Sequence, residues 1–122
     1  MGVISDLAAA LAADLGEVTG WRVVDHVPAR VAPPVVILAS ADPWLTPGDT
    51  FGTWQANYEA QLVAGIGTND VIIDALAGAA VAILAYLPDR WAIAHVSAPW
   101  RATINDAEAP VVTIPITATI TL

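Results

Sequence analysis

Apolar and polar residues alternate from Gly52 to Ala64, with Trp54, Ala56, Tyr58, Ala60, Leu62 and Ala64 set against Thr53, Gln55, Asn57, Glu59 and Gln61. A period of two marks a half-buried strand. At about 3.3 Å per residue this strand would reach roughly 43 Å, well past the 17–20 Å common in globular sheets. Gly65 and Gly67 then break the chain, Asn69 is suited to an N-cap and Asp70 to the first turn of a helix. The helix predicted over Asp70–Leu87 is apolar on two faces. Ile72, Leu76, Ala80, Ile83 and Leu87 form one stripe, and Val71, Ala75, Gly78, Ala82 and Ala85 lie opposite, where a solvated helix carries charge. Its apolar run is shorter than the roughly 20 residues of a bilayer span. Such a helix must be covered by its own sheet on one side and by something else on the other.

Val3, Leu7, Leu11 and Leu15 are spaced for an amphipathic helix over residues 3–15, with Gly16 as its stop. Trp21–His26 reads as a short strand. The prolines of VPARVAPP keep the following chain extended, and Val35–Ala39 is a continuous apolar run of the kind buried on both faces of a sheet. Residues 40–51, with Pro43 and Pro47-Gly48, read as a long connection. Trp44, Leu45 and Phe51 within it either fold back onto the core or await a partner. After Leu87-Pro88-Asp89, strands are expected at Trp91–Ser97 and Trp100–Asn105, with a turn at DAEAP. In the last strand, Val111–Leu122, Val112, Ile114, Ile116, Ala118, Ile120 and Leu122 alternate with Thr113, Pro115, Thr117, Thr119 and Thr121. Pro115 predicts an edge position or a bulge.

The order is α-β-β-β-α-β-β-β: an α+β fold with a mostly antiparallel sheet of about six strands and two helices on one face. The 122 residues suit a single domain. A helix of about 27 Å is shorter than the central strand, at 1.5 Å per helical residue, so the hairpin around residues 40–54 should project beyond the core.

Composition narrows the function. The chain is 57% hydrophobic with a mean hydropathy of +0.64 and only 13% charged residues, which favours surface covered by a partner. Twelve acidic residues face four arginines and no lysine, for a net charge of −8. That balance excludes nucleic acid as a bound ligand, though not as a polymer that slides past an acidic wall. A biased genome and the need for solubility are the plain alternative. The absence of cysteine excludes disulfides and thiolate metal sites. The N-terminal run carries Asp6 and Asp14 and lacks a basic start, and Asp6 occupies the position where myristoylation needs Ser or Thr. A protein made inside the cell is expected.

Catalytic motifs are weak. His26 and His95 lack the spacing of a metal pair, and Asp25 beside His26 would form a dyad only across a strand bend. Gly65-Ile66-Gly67-Thr68 lacks the Lys of a phosphate loop and the third Gly of a dinucleotide turn. Ser5, Ser40 and Ser97 lack a nucleophile-elbow context. The pairs Asp42 with Asp49 and Asp106 with Glu108 read as solvated loop charges. No enzyme activity, catalytic residue, cofactor or metal site is expected.

The run DHVPARVAPPVVIL at 25–38, DPWLTPGDTFG at 42–52, LVAGIGTNDVIIDAL at 62–76 and the Thr-rich last strand together resemble the tail terminator, or tail completion, proteins of long-tailed phages of actinobacteria. The resemblance implies a structural virion subunit, made in the host cytoplasm, that forms a hexameric ring at the tail-neck junction. The ring would cap the tail tube and join it to the head-tail connector, with DNA passing through its lumen unbound. Trp44, Leu45 and Phe51 would then meet a partner, and Ala75, Gly78, Ala82 and Ala85 an adjacent subunit. Alternatives are another neck or head-completion protein and, in a different class, a small-ligand-binding or hydrolytic α+β domain.

Overall fold

The computed structural model describes residues 3–24, 33–48, 50–65, 70–104 and 107–121. Its elements follow the expected order: α1 (Val3–Thr19), β1 (Arg22–Val24), β2 (Val35–Pro47), β3 (Thr53–Val63), α2 (Asp70–Tyr86), β4 (Ala92–Ile93), β5 (Trp100–Ile104) and β6 (Ala107–Thr121). The strands form one sheet in the order β1-β2-β3-β6-β4, with β5 paired to the other end of β6. β1 runs parallel to β2, and the remaining pairings are antiparallel.

Every residue of β3 from Thr53 to Val63 has a partner on β6, in unbroken register from Thr53↔Thr121 to Val63↔Val111. Alternation then places Ala56, Tyr58, Ala60 and Leu62 beside Val112, Ile114, Ile116 and Ala118 on one face. Val36 and Leu38 of β2 extend that face, and Leu11 and Leu15 of α1 with Leu76, Ala79, Ala80 and Ile83 of α2 close over it. Both helices therefore share one sheet face. Val35, Ile37, Val63, Ala109 and Val111 form a smaller cluster on the reverse side, so the run Val35–Leu38 is buried on both faces as its composition requires.

α1 passes through Gly16 and ends at Thr19. The cost of a mid-helix glycine, about 1 kcal/mol against alanine, is outweighed as Val18 packs against the core. The stop is Gly20, whose φ of 70° suits a residue without Cβ and whose N–H donates to the Gly16 carbonyl at 2.9 Å. Thr19 Oγ1 also donates to the Leu15 carbonyl at 2.7 Å.

The expected connection at 40–51 is largely strand. β2 runs on to Pro47, and between Ser40↔Tyr58 and Leu45↔Ala56 it advances five residues while β3 advances two. This bulge accommodates Pro43, which cannot donate to a ladder. Asn57 replaces lost ladder bonds: its Nδ2 donates to the Pro43 carbonyl and to Thr46 Oγ1, each at 3.1 Å, while its Oδ1 accepts from Thr117 Oγ1 at 3.2 Å. The turn itself is short. Gly48 N donates to the Thr53 carbonyl at 3.0 Å, and Gly52 adopts a φ of 83°.

Pro115 sits at a local edge of the sheet: β3 pairs with it on one side, and on the other no strand pairs with β6 between Val111 and Ile116. Its carbonyl accepts from Ala94 N at 3.4 Å, so its missing N–H is directed to the β4 side, where regular pairing ends at Ile93↔Ile116. The uninterrupted β3 ladder is on the other side. The strand expected at Trp91–Ser97 is correspondingly reduced to Ala92–Ile93, although Ser97 N still donates to the Thr113 carbonyl at 2.9 Å. β5 and β6 pair to Ile104↔Ala107, so Ala107 to Pro110 of DAEAP belong to β6.

The chain after α2 is tied to α1 by a partly exposed clamp. Trp91 Nε1 and Arg90 Nη2 donate to Asp14 Oδ2 at 2.7 and 2.6 Å, and the Arg90 guanidinium lies 4.9 Å from the Trp91 ring centre. Burial acts to raise the Asp14 pKa, but the bonds from Arg90 and Trp91 and the Arg90 charge outweigh it and hold the carboxyl below its ordinary value.

Ile114→Ala should cost about 2–5 kcal/mol in urea unfolding, whereas Thr119→Ala on the exposed reverse face should stay within about 0.5 kcal/mol. Equal costs would mean that the two faces are not differently buried. Because the folded pKa of Asp14 is depressed, its contribution is present above the unfolded carboxylate value and disappears as pH falls through the folded value. Asp14→Asn should therefore destabilise the protein at neutral pH and lose less stability on acidification than the parent; parallel stability curves would exclude the clamp as a source of acid sensitivity.

Candidate interaction surfaces

The second apolar face of α2 is open to solvent. Val71, Val81 and Tyr86 are 76%, 63% and 75% exposed, and Leu84 is 58% exposed. Ala75, Gly78 and Ala85 lie exposed beside them, and Ala82 is half-buried. At 100° per residue, Val71, Ala75, Gly78, Val81, Ala82 and Ala85 fall on the side opposite Leu76, Ala79, Ala80 and Ile83. A Cβ built on Gly78 meets no atom within 4 Å. Small residues at the centre with larger ones around them let another backbone approach closely. The sequence pattern singled out the small residues; Val81 was legible from the same helical period, whereas Leu84 and Tyr86 lie on its two flanks.

Trp44, Leu45 and Phe51 are exposed too, so they do not fold back onto the core. Trp44 and Leu45 belong to the distal half of β2, and Phe51 sits fully exposed in the turn. Trp54, opposite Pro47 and Ile120, joins them as an exposed aromatic at the same end. Leu45 pairs with Ala56 and Trp54 lies two residues away, so both share the sheet face that the helices cover lower down. The hairpin thus extends past the helices with an apolar side and acidic residues but no basic one: no Lys or Arg occurs between Arg30 and Arg90. This set and the α2 set occupy separate elements.

A third feature is a cleft of about 660 Å³ between the N-terminal half of α1 and the sheet, lined by Ser5, Ala8, Ala9, Ala12, Val23, Val24, Leu38, Ala39, Ser40 and Tyr58. Four small side chains of α1 leave this space where larger ones would fill it. Tyr58 is buried, and that burial raises its phenol pKa, keeping it neutral. On the reverse face of the sheet, Gln55, Asn57, Gln61, Thr113 and Thr117 form a half-buried polar ladder in which Glu59 is the acidic member. Trp100 Nε1 donates to Thr113 Oγ1 at 3.0 Å at its edge.

Of the residues considered for chemistry, Asp25, His26, Asp49, Ile66, Gly67, Thr68, Asn69 and Asp106 lie outside the described residues. His95 and Asp42 are exposed, and Glu108 pairs with Arg101 at 3.1 Å. Among the described residues no three His, Cys, Asp or Glu side chains gather as a metal site, and no helix is long and apolar enough to cross a membrane. No protein-family model matches the chain, and no curated protein matches it.

Asn57 is the side chain that couples the distal hairpin to the rest of the sheet. Asn57→Ala should speed amide exchange at Leu45 and Thr46 about thirtyfold, given about 1 kcal/mol for each of the two bonds lost to β2, while exchange at Leu62 and Ile114 stays unchanged. Unaltered exchange at Leu45 and Thr46 would show that the bulge holds without it.

Proposed function

We propose that the chain is a structural, non-enzymatic subunit of a ring, a homohexamer, that closes the tail tube of a long-tailed phage and joins it to the head-tail connector. The observation that carries this reading is the solvent-facing apolar side of α2: a face with Val71, Val81, Leu84 and Tyr86 exposed is of the kind that adjacent subunits cover. The projecting hairpin, with Trp44, Leu45, Phe51 and Trp54, supplies a second surface for the tube or the connector. The net charge of −8 suits a lumen through which DNA moves without binding. The resemblance in the Pro-rich, hairpin and last-strand motifs supplies the phage context.

Purified protein mixed with isolated tail tubes should produce capped tube ends of six-fold symmetry by electron microscopy. Binding at the portal side would assign it to another part of the neck, and failure to bind either structure would end the virion reading. The cleft beside α1 favours one alternative, a small-ligand-binding domain, which a ligand screen by thermal shift would reveal.

Charge placed on the outer face of α2 separates assembly from folding. Val81→Glu and Ala82→Glu should abolish ring formation in sedimentation velocity, with Val81→Glu within about 0.5 kcal/mol of the parent in urea unfolding because its side chain is exposed. Intact rings from both variants would remove the α2 face from the subunit contact.

A further inference from the structure

We propose that the outer side of α2 in one copy of this chain packs onto the helix-facing side of the hairpin in the next, so that a second copy completes the helical layer over the sheet. This rests on the ring reading above and deepens it: α2 stays the subunit contact, its counterpart is named, and Trp44 is left to meet the tube or the connector. Cross-strand pairing puts Leu45 and Pro47 of β2, Trp54 of β3 and Ile120 of β6 on the side of the sheet that carries both helices. Only Ile120 of these is buried; Leu45 and Trp54 are 41% and 40% exposed, Pro47 is exposed, and Phe51 stands fully exposed at the end of the turn. They form an apolar shelf, free of charge, on the sheet face where this fold already lays its helices. On α2, no charged residue occurs from Ala75 to Tyr86. Gly78, Ala82 and Ala85 form a floor between Leu84 and Tyr86, and a Cβ on Gly78 would meet no atom within 4 Å. The lengths agree. These 12 residues of helix extend about 18 Å at 1.5 Å per residue, and the shelf from Ala56 to the turn at Gly52 extends about 14 Å at 3.4 Å per residue.

The occupant of each surface is a second copy, for three reasons. A chain cannot cover its own α2: the outer side of the helix points away from the sheet, and the hairpin is a continuation of that sheet. Charge selects an uncharged counterpart, because a charged group pressed onto the shelf or onto the floor of α2 would be buried without a counter-charge; Asp70 and Asp74 fall within the first five residues of the helix, outside the contact. Area is the third reason. At about 150–250 Å² per aromatic side chain, the exposed parts of Leu45, Phe51 and Trp54 amount to roughly 350 Å², and those of Val81, Leu84 and Tyr86 to about as much. With the proline, alanines and glycine between them, one contact approaches the roughly 1,000 Å² of a specific interface, and a closed ring gives every copy two such contacts. A contact of α2 with α2 about a two-fold axis would stop at a dimer and leave the shelf open. Two different surfaces on one chain repeat from copy to copy and close into a ring when the rotation allows.

The test uses the asymmetry of that contact. Trp54→Glu charges the shelf and leaves α2 intact; Val81→Glu charges α2 and leaves the shelf intact. Sedimentation velocity of the parent chain should show closed oligomers, and each variant alone should fall to monomer. Leu45→Glu, on the same shelf, should repeat the effect of Trp54→Glu, and the shelf variant that keeps the parent's urea midpoint is the one whose assembly is compared. An equimolar mixture of shelf and α2 variants should recover a dimer and nothing larger, since each pair retains one intact shelf and one intact α2 face.

A monomeric parent, or a folded shelf variant that retains the parent's oligomers, would overturn the proposal. A shelf variant that stops at a dimer by itself would do the same, because α2 would then pair with α2, as would a mixture that stays monomeric. The ring-capping function has a separate readout. A parent that caps tube ends and still does so with Trp54→Glu keeps that function and loses only the contact of α2 with the shelf; a parent that forms the expected oligomers and leaves tube ends open keeps the contact and loses the virion reading.

Discussion

The long antiparallel ladder between β3 and β6 sets the terms for everything else in the molecule. Its register is continuous across all of β3, which fixes which residues face the helices and which face away. Its length exceeds what the helices can cover. An α2 of 17 residues extends about 26 Å at 1.5 Å per residue, and the 11 residues of β3 about 37 Å at 3.4 Å per residue. At the turn end the cover is only partial, reaching Ile120 but not Trp54 opposite it. Leu45 and Trp54 are therefore exposed on the same sheet face on which Ala60 and Leu62 are buried.

The same shortage of covering layers explains α2. One side of this helix supplies Leu76, Ala79, Ala80 and Ile83 to the core, and only one layer of the fold lies beneath it. Its outer side carries valine, alanine and leucine where charge would be expected, and nothing in the chain's described residues shields it. α1, by contrast, has a charged outer register: Asp14 is drawn into the clamp with Arg90 and Trp91, which anchors the post-helix chain and leaves the α1 N-terminal half above an open cleft. The fold is tightly packed at the α1 C-terminus and open at its N-terminus, and it leaves apolar groups exposed on α2 and the hairpin.

Proline and glycine were the residues whose local meaning depended most on their surroundings. Pro43 and Pro47 mark a connection when considered alone, yet a bulge and the Asn57 side chain keep both within β2. Pro115 sits at a local edge of β6, its absent donor directed to the place where β4 stops. Gly16 stays helical since the packing of Val18 repays its propensity, and Gly20 ends the helix because the chain there turns through a positive φ. In each case a local preference of about 1 kcal/mol competes with burial of comparable or greater size.

The period-two pattern of residues 53–63 and 111–121 and the two-faced apolar pattern of α2 determined the element order, the sheet faces and the second exposed face, because alternation and helical spacing are properties of the chain itself. Ala75, Gly78 and Ala85 were legible as an open surface for that reason, as was the projection of the hairpin from the unequal lengths of strand and helix. Tertiary structure alone decided the β1–β2 parallel pairing, the extension of β2 through its prolines, the Asp14 clamp and the cleft beneath α1. These depend on which distant segments meet: Asp14 and Trp91 are 77 residues apart, and no local pattern encodes the distance between them in space.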